Sequence, residues 1–209
     1  NPSAIFNVPD SICPGGVATI SNNSSFGCTN SLNPNYNPSN AIFSELSPSF
    51  SYDFGDCSDS VNVPTQSQYN SNNYLSISNT YTLPGIYHIE LAAANACTSI
   101  TYLDSITIFP HPNVSFIAEP KCLQDTTIFI GSVWASPDTI DVLSCGDTIR
   151  VPAGGEIDSI HWSMVEPTDG VYVNGTTADS LNAQFIFNSC GSHSVSLTVI
   201  DSHGCDSTY

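Results

Sequence analysis

The chain has 209 residues, of which 40% are hydrophobic, enough to build the packed cores of one or two domains. One Lys and one Arg stand against 19 acidic residues, giving a net charge of −17. This balance argues against binding nucleic acid or anionic membranes, because their phosphates need cations. No apolar run reaches the length of a membrane-spanning helix, and no signal peptide opens the chain. We therefore expect a mature chain or a fragment, without membrane insertion.

Alternating apolar and polar residues predict antiparallel strands throughout, and no helical period of useful length occurs. In the first half, strands are predicted at Ser3–Val8, Val17–Ser21, Ser49–Phe54, Tyr74–Tyr81 and Ser99–Phe109, with an irregular insertion at Asn22–Leu46. A longer strand is predicted just before Ser99–Phe109. Its buried side carries Tyr87, Ile89, Leu91 and Ala93. Pro84 and Gly85 predict a turn in front of it, with Gly85 at positive φ.

The second half follows the same order. Strands are predicted at Val114–Ala118, Thr126–Val133, Val171–Val173 and Leu181–Phe187, and an insertion at Trp134–Glu156 carries a further strand, Thr148–Val151. Ile160, Trp162 and Met164 repeat the inward positions of Phe50, Tyr52 and Phe54, while Gly191, Val195, Leu197 and Val199 repeat the long strand. Equivalent landmarks lie 106 to 109 residues apart, as from Cys13 to Cys122. The sequence therefore predicts two copies of one β domain.

The copies place the domains at residues 1–110 and 111–209, joined by the stiff hinge Pro110-His111-Pro112. After Cys205 only four residues remain, so the second domain is expected to lack its last strand. Another subunit could fill such an open edge, and Asn1–Pro9, with Ile5, Phe6 and Val8, is the candidate donor strand.

Eight Cys and loops rich in Asn and Ser indicate an oxidising compartment, although eight buried free thiols are the alternative. The repeat spacing predicts disulfides Cys13–Cys97 and Cys122–Cys205, one in each copy. The remaining pairs would be Cys28–Cys57 and Cys145–Cys190, each tying an insertion to its own domain. Spacing cannot prove this connectivity.

Two stretches of the first copy resemble the polycystic kidney disease (PKD) domain: Tyr52-Asp-Phe-Gly-Asp56, and Thr80-Tyr-Thr-Leu-Pro-Gly-Ile-Tyr-His-Ile-Glu-Leu91. The second copy matches only in part, since Trp162 is kept but Ser-Met-Val follows it. The resemblance implies two tandem immunoglobulin-like β-sandwiches. The segments from Phe116 to Phe129 and from Asp201 to Cys205 are also similar to repetitive surface proteins of gliding bacteria that use type IX secretion. That similarity implies an extracellular location at a bacterial surface, with roles in adhesion and motility.

Ser or Thr follows Asp at ten of 14 Asp residues, whereas the 49 Ser and Thr would give about three by chance. At nine of the ten, Ile, Val, Leu or Thr comes third, a triplet that resembles the O-glycosylation sequon of the same bacterial group. The candidate hydroxyls are Ser11, Ser60, Ser105, Thr126, Thr139, Thr148, Ser159, Ser180 and Ser207. The alternative is turn punctuation, in which Asp ends a turn and a strand begins. Asp104-Ser-Ile and Asp158-Ser-Ile fit that alternative well.

No nucleophile motif and no metal-ligand spacing of His is found, so no enzyme and no cofactor are expected. Asp53, Asp56 and Asp59 are a weak Ca²⁺ candidate, against ordinary turn capping. Two functional hypotheses follow. The first is a glycosylated, disulfide-stapled subunit of a surface filament, stalk or adhesin, whose partners are copies of itself, further repeats of a longer chain, or surface glycans. The second is an accessory module of a secreted enzyme that binds polysaccharide or protein.

Overall fold

The computed structural model describes residues 4–24, 49–63, 75–94, 99–119, 121–164 and 170–209. All regular structure among these residues is β, and it forms two tandem immunoglobulin-like sandwiches. Contacts divide the chain into two units: residues 1–108 with 140–150, and residues 109–139 with 151–209. None of the described residues forms a helix long and apolar enough to cross a membrane.

The first unit packs a three-stranded sheet against a five-stranded one. The first sheet has the order β1-β3-β6, and the second β2-β8-β7-β4-β5. The strands are β1 (Phe6–Asn7), β2 (Ser11–Ile12), β3 (Val17–Asn22), β4 (Ser49–Asp53), β5 (Val61–Val63), β6 (Ser76–Thr80), β7 (Gly85–Ala94) and β8 (Ser99–Ile108). All pairs are antiparallel except β2 with β8, which is parallel.

The second unit repeats this arrangement, with a four-stranded sheet β14-β15-β10-β9 and a three-stranded sheet β13-β16-β17. Its strands are β9 (Asn113–Ala118), β10 (Thr126–Trp134), β13 (Ile157–Met164), β14 (Gly170–Tyr172), β15 (Asn182–Phe187), β16 (Val195–Asp201) and β17 (Asp206–Thr208). The order β9-β10-β15 corresponds to β1-β3-β6, and β17-β16-β13 to β8-β7-β4. The predicted duplication is thus confirmed at the level of strand order.

Period-two alternation decides which side chains form each core. Tyr87, Ile89, Leu91 and Ala93 are all at most 2% exposed, as predicted, because successive side chains of a strand point to opposite faces. In the second unit Leu197 and Val199 are fully buried and pack with Trp162 and Met164. Trp162 lies opposite Leu197 as Tyr52 lies opposite Leu91, so the two cores share one register.

Gly85 has a different role from the predicted one. It is not at positive φ but begins β7, opposite Ile108. A Cβ at this position would lie 2.5 Å from Cδ1 of Ile149. Gly85 is therefore needed for close packing rather than for a turn.

Ile149 belongs to a hairpin of β11 (Thr139–Val142) and β12 (Thr148–Val151), which lies within the insertion predicted for the second copy. The structure instead counts Ile140–Arg150 with the first unit. Leu143 and Ile149 are buried there as members of its core cluster. The predicted hinge also differs, since Pro110 and Pro112 belong to the second unit and are buried.

The described strands bear on two expectations about strand exchange. The second unit does have a last strand, because the three residues of β17 pair with Thr198, Val199 and Ile200 of β16. The proposed donor segment is already used by its own sandwich, since Phe6 is 1% exposed in the first core and pairs with Asn22. The predicted insertion at Asn22–Leu46 lies mostly outside the described residues.

Candidate functional site

The residues that carry the PKD resemblance build one turn of the first unit. Asp53 accepts a hydrogen bond from the backbone N–H of Gly55, and Asp56 accepts one from Nδ2 of Asn79 at 2.7 Å. Gly55 has φ +68°, and a Cβ there would meet the carbonyl oxygen of His88 at 2.5 Å. The Tyr81 hydroxyl donates to the carbonyl oxygen of Phe54 from a buried position. These contacts therefore hold the turn after β4 against the end of β6, at Asn79 and Tyr81, and against β7 at His88.

Hydrogen bonding to Asp56 is reflected in its acidity. Burial alone would raise the pKa of this carboxyl, but hydrogen bonds from Ser58 and Asn79 favour the charged form and lower the pKa below its usual value. Asp53 and Asp56 thus act as turn caps, the alternative that the sequence left open for them. Among the described residues, the carboxylates of Asp53, Asp56 and Asp59 do not gather into a cluster of potential metal ligands.

One cluster of that kind is found in the described part of the chain, formed by Cys57, Cys145 and Asp147. The two sulfurs are joined in a disulfide, however, with Cα atoms 5.7 Å apart. A metal binds the thiolate form of Cys, and a disulfide provides none. The arrangement is therefore a covalent link between the turn after β4 and the hairpin β11–β12.

This bond overturns two predicted pairs, Cys28–Cys57 and Cys145–Cys190. The physical reason is that the hairpin packs in the first unit, which brings Cys145 to Cys57 across 88 residues of sequence. Cys190 is a free, exposed thiol. Cys28 lies outside the described residues.

The predicted pair Cys122–Cys205 is also wrong, because Cys122 is free and exposed while Cys205 is disulfide-bonded. Cys13 is disulfide-bonded too, but Cys97 lies outside the described residues, so the pair Cys13–Cys97 stays a prediction. The structure therefore confirms that disulfides are present, while the partners predicted for Cys57, Cys122, Cys145 and Cys190 are wrong.

A second turn, which the sequence did not reveal, surrounds Cys205. Asp201 is 2% exposed, and its carboxylate accepts backbone N–H groups of Gly155, His203 and Cys205 at 2.9 to 3.0 Å. The His203 ring stacks on Phe109 with centroids 3.5 Å apart. The sequence contained one weak indication of this turn: Asp201 is the one Asp-[Ser/Thr] position whose third residue is not apolar or Thr. The carboxylate of Asp201 holds the turn in place.

The nine candidate glycosylation hydroxyls all reach the surface, and none belongs to a buried residue. The exposed ones are Ser11, Ser60, Ser105, Thr139, Thr148 and Ser159, and the half-buried ones are Thr126, Ser180 and Ser207. Thr126, Thr139 and Thr148 each begin a strand, which agrees with turn punctuation as well as with a glycan sequon. Position alone does not separate the two interpretations at these sites.

Two triplets that were expected to fit turn punctuation do not follow an ordinary turn. Asp104 lies inside β8 and pairs with Ile89 in an uninterrupted ladder, and Ser105 points outward opposite His88. Asp158 lies inside β13 at a register shift between Ile157 and Ser159. Asp is disfavoured within strands, so turn chemistry does not explain its presence at 104. Ser105 is consequently the candidate that best distinguishes modification from turn preference.

The outer surface of the four-stranded sheet carries an apolar face, which we define as Ile117, Ile128, Ile130 and Val171. These side chains are 45 to 69% exposed. Ile130 lies directly opposite Ile117 in the β9–β10 ladder. Trp134, 49% exposed, ends the same outer row of β10. An exposed apolar face bordered by a Trp is a surface that could contact a ligand.

The core of the first unit holds an unusual buried polar pair. The hydroxyl of Tyr52 and Nδ2 of Asn22 are both buried and make no well-formed hydrogen bond among the described residues, although the Asn22 side chain lies close enough to Tyr52 to offset part of the rise in its pKa. Burial raises the pKa of Tyr52 to about 12. Burial also raises the pKa of Tyr81 and, less strongly, that of Tyr87. Burial therefore favours the neutral hydroxyl in all three tyrosines.

Comparisons with known proteins identify no family for this chain. No family model matches the chain, and no curated protein does, so the PKD resemblance stays a prediction. One similar solved structure comes from work on "the promiscuous specificity of the carbohydrate-binding modules from the beta-sandwich super family", at 12% identity and TM-score 0.35, covering 100% of this chain and 82% of that one. Another is Dpr2 Ig1-Ig2 in complex with DIP-Theta Ig1-Ig3, also at 12% and 0.35, covering 99% and 95%.

Proposed function

We propose that this protein is a structural unit of an extracellular bacterial surface filament, stalk or adhesin, and that it is glycosylated and does no catalysis. The observation that carries the proposal is the position of the nine triplet hydroxyls, none of which is buried. They are distributed over both units, from Ser11 at β2 to Ser207 at β17. A chain modified in this way would present glycans from both units.

The disulfides support an extracellular, load-bearing role. Cys13, Cys57, Cys145 and Cys205 are all disulfide-bonded, and such bonds persist in oxidising compartments. Cys57–Cys145 closes a loop across 88 residues, which restricts how far the chain can open. The acidic, cation-poor surface would also resist trypsin-like proteases, which cleave after Lys and Arg.

Strand donation is not part of this proposal. The segment expected to act as donor has Phe6 in its own core, and β17 already pairs with one edge of β16. Contact with further repeats of a longer chain, or with surface glycans, is the partner arrangement that we propose instead.

The proposal is tested on protein recovered from the surface of the cells that make it. We expect peptides of this chain that contain the triplets to exceed their polypeptide masses by the mass of a glycan, and peptide mapping to place one glycan on Ser105. The matched variants are Ser105→Ala, which removes the hydroxyl, and Asp104→Glu, which keeps the charge but breaks the triplet. Both should lose that glycan only. Unmodified masses for all the triplet peptides would refute glycosylation.

The structural role is tested separately by electron microscopy of the same cells with gold-labelled antibody. Label on surface appendages, and loss of those appendages when the gene is deleted, is the expected result. Label confined to the culture medium, on a monomer that co-purifies with an enzyme, would contradict it.

A second candidate function, that of an accessory binding module, is favoured by the apolar face and Trp134. A Trp side chain that is 49% exposed offers its ring to the apolar face of a sugar. Co-sedimentation with insoluble chitin or cellulose tests this candidate. Binding that is lost in Trp134→Ala but kept in Trp134→Phe would favour it over the structural role.

A further inference from the structure

Two exposed thiols flank the same end of one β ladder in the second unit. Cys122 lies just before β10 and Cys190 just after β15, and both are free. The β10–β15 ladder pairs Ile130 with Asn182 at one end and Thr126 with Ile186 at the other. Cys122 and Cys190 each lie four residues beyond the last pair of the ladder, Thr126 with Ile186.

Local turns keep both residues near that end of the ladder. The N–H of Asp125 bonds to the carbonyl oxygen of Cys122, and Gln124 is at φ +67°, so the chain reverses there. On the other side, His193 bonds to the carbonyl oxygen of Ser189 and stacks on Phe187, with centroids 4.0 Å apart. Each Cys therefore lies in a short loop that folds back onto its own strand end.

Two free, exposed thiols are unusual in a chain whose other described Cys form disulfides. The other four described Cys are all disulfide-bonded, and an exposed thiol in an oxidising compartment is readily oxidised. At the last pair of the ladder, Thr126 and Ile186, the two chains are about 4.5 to 5.5 Å apart between Cα atoms, a separation that a disulfide also spans, and each Cys follows in a short loop from that end. Among the described residues, no backbone hydrogen bond joins the two loops beyond this pair.

We propose that Cys122 and Cys190 form a disulfide in the protein exported to an oxidising compartment. The oxidant is a small-molecule or protein disulfide. The Cys122 thiolate attacks one sulfur of that oxidant and releases a thiol, and the Cys190 thiolate then displaces the second thiol. Two thiol hydrogens and two electrons leave the protein, and the oxidant's disulfide is reduced to two thiols. The new bond would link the loops that flank β10 and β15, which are neighbouring strands of one sheet.

Trypsin makes a direct test practical, because Lys121 and Arg150 are its two sites in the chain. Protein secreted through an oxidising compartment is denatured without reductant, alkylated with iodoacetamide and digested with trypsin and then chymotrypsin. We expect Cys122 and Cys190 to be unalkylated and to appear in one cross-linked peptide. Cys190→Ser should leave Cys122 alkylated, whereas Cys57→Ser should expose Cys145 and leave Cys122 protected. Labelling under denaturing conditions reports the bonds whether or not a variant folds fully.

Three results would overturn the proposal. These are alkylation of both Cys122 and Cys190 in the wild-type chain, a peptide that links either residue to a different Cys, and a reductant-sensitive dimer that disappears in Cys122→Ser. The wild-type peptide map decides the matter even if the variants are poorly secreted.

Discussion

Gly85 gives a sharp test of the packing between β7 and the hairpin β11–β12. In Gly85→Ala the new Cβ would lie 2.5 Å from Cδ1 and 2.9 Å from Cγ1 of Ile149. Real Cβ contacts this short essentially do not occur, so either the Ile149 side chain must change its rotamer or the hairpin must shift. Overpacking of a core typically costs about 1–3 kcal/mol. We expect the free energy of unfolding of the first unit to fall by that amount.

Ile149→Ala removes both clashing atoms and, by itself, should cost about 2–5 kcal/mol through the cavity that it leaves. The double variant should then be more stable than the sum of the two effects implies, by about 1 kcal/mol or more. Urea unfolding measures this coupling. Near-ultraviolet circular dichroism of the buried Tyr52 and Tyr87 reports the first unit, whereas fluorescence reports the second, because both Trp lie there.

The matched control is Gly131→Ala in the second unit. Its Cβ would lie 2.6 Å from the carbonyl oxygen of Leu181, so it should destabilise that unit through a similar clash. Ile149→Ala should not relieve it, and the two effects should add. Simple additivity of Gly85→Ala and Ile149→Ala would refute the packing of Ile140–Arg150 in the first unit.

Three further predictions concern the disulfide, the second turn and the buried hydroxyl. Replacing Cys57 and Cys145 by Ser should lower the free energy of unfolding by up to about 4.6 kcal/mol on the chain-entropy model, and a loss below about 1 kcal/mol in denaturant would contradict this. Asp201→Ala leaves three backbone N–H groups without their acceptor and should cost about 3 kcal/mol or more, with Asp201→Asn intermediate; equal stability of the two variants would contradict the role of the carboxylate. The pKa of Tyr52 is raised to about 12, so its contribution is present below pH 10 and is lost as the pH rises from 10 to 12. Tyr52→Phe should weaken this alkaline destabilisation without loss at pH 7, and an unchanged alkaline profile in urea titrations would count against the assignment.

Much of the fold follows from local chemistry that the sequence displays. Tyr87, Ile89 and Leu91 alternate with polar residues, and that pattern alone predicts a strand with one buried face. The short strands β2, β5 and β17 were missed because two or three residues carry no readable period. They form through pairing with longer neighbours, which a local pattern cannot show.

The disulfide pairing failed for a different reason. Repeat spacing treats each copy as self-contained, but the packing of Leu143 and Ile149 in the first unit decides where Cys145 lies. The packing of a segment from the second half in the first unit leaves no local pattern in the sequence. The triplet hydroxyls are at least partly exposed, but their modification stays a prediction. The structure adds that Asp104 lies within a strand, which makes Ser105 the most informative of them.

The excursion of Ile140–Arg150 into the first unit has a consequence for biogenesis. During its synthesis the chain cannot complete its first unit until residue 150 has been made. Until then the core positions of Leu143 and Ile149 are unfilled, and Cys57 has no disulfide partner, because Cys145 lies 88 residues further along the chain. Expression of residues 1–110 alone would therefore yield a protein with exposed apolar surface, and both halves must be made together to obtain either one intact.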